Sequence, residues 1–179
     1  MKVYNYLFFK LVLLFFTFPT VLEARKDVKK LTEPVIKGIV EQFVSMHYSQ
    51  KPLDDEMSSR VFTIFLNRLD PAHYYFLEKD ITKFRKYETR VDDMLRRGNA
   101  NLAIDIFEQF KKRLSERLSM MEEFISEDFD FSIDEKWALE RSNQPYPKTS
   151  AEARAIWRTK IKFDLLTLKL SDTNLNEGK

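Results

Sequence analysis

Between residues 54 and 69 the apolar positions Met57, Val61, Phe62, Phe65, Leu66 and Leu69 recur at spacings of three and four. That period puts them on one face of a helix. Asp54 stands where a cap is wanted, after the break at Lys51-Pro52. Asp70-Pro71 ends the run, because the residue before a proline is pushed out of the α region. A helix is therefore predicted from about Asp54 to Arg68, flanked by two aromatic-histidine knots, His47-Tyr48 and His73-Tyr74-Tyr75-Phe76.

The same period continues on both sides. Ile36, Ile39, Val40, Phe43 and Val44 line a helix that reaches about Tyr48, with Thr32 as its cap and Pro34 in the first turn, a favoured place for proline. A third helix is expected from Glu78, carrying Ile81, Phe84, Val91, Met94 and Leu95 and closed by Gly98. The longest runs from about Leu102 to Ile125. Its row Phe107, Phe110, Leu114, Leu118, Met121 and Ile125 keeps near-heptad spacing, which predicts a bundle helix pairing with its neighbours. Phe129-Asp130-Phe131 reads as an extended connector. Ser132 with Glu135 forms a capping-box pattern for a short helix through about Leu139. Ser142 to Lys148, SNQPYPK, is the clearest loop. Thr149 with Glu152 opens the last helix, whose stripe is Trp157, Ile161, Leu165 and Leu168. SDTNLNEGK, from Ser171 on, is polar and expected to fray.

Composition narrows this to an all-α fold, an irregular bundle of about five helices after a signal peptide. Only 3 Gly and 6 Pro in 179 residues leave little material for tight turns, while 44% apolar residues and 16 Phe supply a core. At the N-terminus, basic Lys2, an aromatic and aliphatic stretch through Phe18, Pro19 and Leu22-Glu23-Ala24 have the order of a secretory signal peptide cut after Ala24. The apolar stretch is shorter than the ~20 residues of a spanning helix, and Lys10 interrupts it. Removing residues 1–24 takes away Lys2, Lys10 and Glu23, and leaves 28 basic and 27 acidic groups. The organisation expected is thus a signal peptide at 1–24, a charged lead-in at 25–30, a helical domain at 31–170 and a polar tail at 171–179. Export without a single cysteine fits a periplasmic location, with no stable membrane span after cleavage.

Near-neutral charge gives no ground for nucleic acid as a partner. The interleaved basic and aromatic residues Lys79 to Arg90 keep helical spacing and carry Asp80 and Glu88, so they read as a solvated face. His47 and His73 lie on separate segments without the spacing of a metal motif, and read as core or capping histidines. Asp54-Asp55 and Asp92-Asp93 are adjacent pairs whose side chains diverge on a helix; they read as a cap and solvated faces. Ser58 and Ser59 have no base positioned to activate them. No phosphate loop or nucleophile elbow appears. Catalytic residues, metal ligands and cofactors are therefore not expected.

HYSQKPLDDEMSSRVF followed by LDPAHYYFLEKDITKFRKY resembles the N-terminal helical region of tail-specific, or carboxyl-terminal processing, proteases of bacterial envelopes. The resemblance continues through FDFSIDEKWALER, QPYPK and IWRTKIKFDLLTLKL, covering roughly residues 30 to 170. It implies an accessory scaffold that wraps a protease. In that family a Ser-Lys dyad and a peptide-binding PDZ module lie beyond this region, and neither matches any position here.

The chain is accordingly expected to be inactive alone and to end before the PDZ and peptidase domains. It would act as a non-catalytic docking domain whose partner is the remainder of the protease or an envelope adaptor protein. The alternative is a stand-alone secreted helical module that binds proteins. The expected docking element is the last helix. Ile156, Trp157, Phe163, Leu166 and Leu170 are the candidate face, because the apolar coverage of that helix is wider than one packed stripe needs.

Overall fold

The computed structural model describes the backbone of residues 21–46 and 52–177 and the side chains of residues 33–46 and 52–171. Most of the expected signal peptide and the His47-Tyr48 knot lie outside these residues. The described residues are all-α. The helices are α1 (Val21–Met46), α2 (Asp55–Leu69), α3 (Glu78–Arg85), α4 (Val91–Arg96), α5 (Asn101–Ile125) and α6 (Ser150–Glu177), with a 3-10 turn at Glu88–Arg90.

α2 has the predicted ends. The Asp54 carboxylate accepts the Met57 N–H at 3.0 Å, and the helix stops one residue before Asp70-Pro71. α1 starts earlier than expected. Residues 25–30 are helical backbone, and Pro34 lies inside the helix rather than in its first turn. The preceding Glu-Ala-Arg-Lys run favours helix, against a cost of about 3 kcal/mol for an interior proline.

The expected third helix is two helices. The chain leaves the α path after Arg85, and at the restart the Ser58 hydroxyl does the capping from another element. It accepts the Asp92 N–H at 2.9 Å and donates to the Asp92 carboxylate at 2.8 Å. Both residues are buried, so Asp92 is not on a solvated face. Gly98 ends α4 at φ +69°, a conformation open to glycine at little cost. A Cβ there would stand 2.5 Å from the Glu33 carbonyl oxygen of α1.

α5 buries a different row from the one its near-heptad spacing suggested. Ile106, Arg113, Arg117 and Phe124 are buried, whereas Phe107, Leu118 and Ile125 are exposed. Phe110 belongs to both rows, which otherwise differ by one residue in register. Polar anchors decide between them: Arg113 and Arg117 find buried acceptors, described below, only when their row faces inward.

The short helix expected at 132–139 does not form. Ser132, its intended cap, is held instead by Asp130, whose carboxylate accepts both the Ser132 N–H at 2.8 Å and the hydroxyl at 2.6 Å. Such local bonding offers the backbone an alternative to helix. Residues 126–149 therefore form one long non-helical connector between α5 and α6.

Two apolar clusters result. One joins α2, α3 and α5 through Phe62, Leu66, Phe76, Ile81, Phe84 and Ile106. The other joins α5, the connector and α6 through Phe124, Phe129, Trp157 and Ile161.

Candidate docking face and the frame beneath it

α6 opens with the predicted Thr149 cap, while Glu152 reaches one residue further back than a capping box requires. The Thr149 hydroxyl oxygen accepts the Glu152 N–H at 3.1 Å, and the Glu152 carboxylate reaches back to the Lys148 N–H at 2.7 Å. Its first turns are core. Ala153, Trp157 and Ile161 are buried, and the Trp157 indole N–H donates to the Tyr74 carbonyl at 2.9 Å.

The connector folds back over the helix. Trp137 lies between Tyr74 and Phe163, stacked at 6.2 Å on the first and 6.4 Å on the second. A basic row on α6 spans the aromatic row beside it. Arg154 lies over Phe124 at 4.6 Å, Arg158 over Phe129 at 4.9 Å and Lys169 over Phe131 at 5.2 Å. Arg154 pairs with Glu123 and Arg158 with Glu127 near the surface, while the buried Lys162 reaches Glu135.

The five residues of the candidate face thus have different surroundings. Trp157 belongs to the chain's own core, and so is not available to a partner. Ile156, Phe163 and Leu166 are half-buried, Phe163 beneath Trp137. Leu170 is exposed, and Leu168 joins it. The apolar coverage of the helix was too wide for one stripe because two neighbours, α5 and the connector, each take a share.

Beneath this face lies a frame of buried charge. The Asp70 carboxylate accepts the backbone N–H groups of Tyr74, Tyr75 and Phe76 at 2.7, 2.9 and 2.9 Å. Burial pushes its carboxyl above the ordinary range, against the pull of those three donors. On the other side of the turn Arg117, fully buried, donates to the carbonyls of Tyr74 and Tyr75 at 3.3 and 2.9 Å. Burial lowers its guanidinium from the usual value.

Arg113 grips Asp80 with two hydrogen bonds, 2.7 and 2.9 Å. Burial by itself would raise the Asp80 carboxyl, but Arg113 holds it below the ordinary range. The opposite edge of the turn is closed by the QPYPK loop. His73, at φ +54°, stacks on Tyr146 at 3.8 Å and donates from Nδ1 to the Gln144 carbonyl. The Pro147 carbonyl accepts the Glu78 N–H at 2.9 Å.

His73 is therefore used to fasten two segments, and the segment LDPAHYYFLEKD is one continuous fitting. A family model described as the tail specific protease N-terminal domain matches residues 39–179. The chain belongs to that family. A tail-specific protease of Haemophilus influenzae (strain ATCC 51907 / DSM 11121 / KW20 / Rd) is 31% identical over 144 residues, 80% of this chain and 21% of the relative. The chain spans about a fifth of that relative's length. For this tail-specific protease N-terminal domain, the residues that the sequence alone did not single out are Arg113 and Arg117, and Asp80, expected on a solvated face, is buried. Their signal was present as a second row on α5, Ile106, Phe110, Arg113, Arg117, Met120 and Phe124, with two arginines at its centre.

Proposed function

We propose that this domain is a non-catalytic scaffold of a periplasmic tail-specific protease and that the outer end of α6 docks onto the PDZ and peptidase portion. The observation that carries this reading is the change of environment along α6. Its first turns are core, whereas Leu168 and Leu170 are 62% and 57% exposed. Leu170 follows the half-buried Phe163 and Leu166 on the same helix face, and an apolar row that emerges from the core suits a partner surface. The chain supplies no nucleophile or base to the reaction, and it reaches the periplasm through a cleaved signal peptide.

The test is the double substitution Leu166→Gln plus Leu170→Gln. The expected result is an unchanged melting temperature and lost binding to the PDZ-peptidase portion of a tail-specific protease. A fall of several kcal/mol in stability, the usual cost of disrupting buried leucines, would place this face in the domain's own core. Undiminished binding would remove it as the docking element.

A further inference from the structure

The row that α5 does not bury has an organisation of its own. Phe107, Leu118 and Ile125 are 46%, 51% and 61% exposed, with Leu114 and Met121 half-buried between them and Lys111 exposed. The spacing 107-111-114-118-121-125 alternates fours and threes, the seam of a helix that packs against another helix. It is symmetric about residue 116. At 1.5 Å per residue it extends about 27 Å.

We propose that this seam pairs with a second copy of the chain, α5 against α5, antiparallel about a two-fold axis at residue 116. Phe107 then meets Ile125 of the second copy, Leu114 meets Leu118, and Lys111 lies beside Met121. Every seam position finds another seam position.

Charge selects the antiparallel arrangement. A parallel, in-register pair would set Lys111 against its own copy. The antiparallel pair brings Lys111 within reach of Glu122 of the second copy, one residue beyond Met121. Lys111 already holds Glu108 at 2.9 Å, and among the described residues the Glu122 carboxylate has no hydrogen bond or ion pair. Each lysine is then shared by two carboxylates, and each Glu122 gains a partner. One helix pair of this length gives an interface near the lower limit for specific association, about 1,000 Å² in total. The dimer is accordingly weak, forming in the micromolar to millimolar range. This pairing uses α5 and does not depend on the docking assigned to α6.

Sedimentation equilibrium of the purified chain, over on the order of 10 µM to 1 mM, tests it. The wild type should show a monomer–dimer equilibrium. Leu118→Glu, which would bury a carboxylate against a leucine, should weaken it at least about tenfold with an unchanged melting temperature. Lys111→Glu should weaken it several-fold, and adding Glu122→Lys should restore it. A wild type that stays monomeric throughout would overturn the pairing and leave the seam to another part of a tail-specific protease. Dimers that are indifferent to Leu118→Glu, or a charge swap that restores nothing, would overturn it equally.

Discussion

The two apolar clusters use charge in opposite ways. Around the α2–α3–α5 cluster it is sealed inside: Arg113 and Asp80 are 5% and 6% exposed, and Arg117 is fully buried. Around the α5–connector–α6 cluster Arg154 and Arg158 lie across the outer faces of aromatic rings and pair near the surface, with Lys162 the one buried cation. A buried pair costs much to separate, because the partner left behind is an uncompensated charge. A surface pair contributes little, since water and salt screen it. The first cluster is thus held to one arrangement by its polar groups, whereas the second rests on ring packing.

The largest expected effect comes from breaking the sealed side. Arg113→Leu leaves Asp80 buried without its bidentate partner and should cost about 3–5 kcal/mol in urea unfolding. Because the Asp80 carboxyl is held below its ordinary range in the folded state, its contribution is present above an unfolded carboxyl value of about 3.9 and is lost as pH falls through the folded value. The gap between wild type and variant should therefore narrow in acid. A gap that widens there would mean that Asp80 is not the group involved.

Trp157→Phe probes the seam between the clusters. It keeps a large ring but removes the indole N–H, whose acceptor, the Tyr74 carbonyl, also receives Arg117. A loss of about 1–2 kcal/mol is expected from thermal melts. A neutral result would show that Arg117 alone satisfies that carbonyl. The smallest effect belongs to Arg158→Ala. Its side chain is 38% exposed beside Glu127 and Glu135, so the change should stay within about 1 kcal/mol. A loss as large as that of Arg113→Leu would erase the distinction between the clusters.

The same contrast explains what could be read from the sequence. Helix-on-helix packing repeats every three or four residues, so α2, α5 and α6 and the caps Asp54 and Thr149 were visible in the chain. The register of α5 was not. Two rows share its spacing, and hydrophobicity favours the one without arginines. Choosing correctly requires knowing that Asp80 and the carbonyls of Tyr74 and Tyr75 wait opposite, which is long-range information. The connector was misjudged for a local reason: Ser132 has the pattern of a helix cap, but Asp130, two residues earlier, competes for the same N–H and hydroxyl. The residues of the candidate face divide along the same line. Leu170 stays exposed, while Trp137 and Phe129, distant in sequence, decide the fate of Phe163 and Trp157.

The close approach of Gly98 to Glu33 gives α1 an independent fate. Beyond that point the helix rests on the body through a cleft of about 320 Å³ lined by Ile36, Ile39, Val40, Leu53, Met57 and Leu95 among others, while Val35 and Met46 are exposed. A helix seated on one side in this way is expected to open at a fraction of the free energy of global unfolding. Its amides would exchange with solvent ahead of those of α2 and α5. Any side chain at position 98 would lower that threshold further, turning a rare opening into a frequent one while the frame around Asp70 and Asp80 stayed closed.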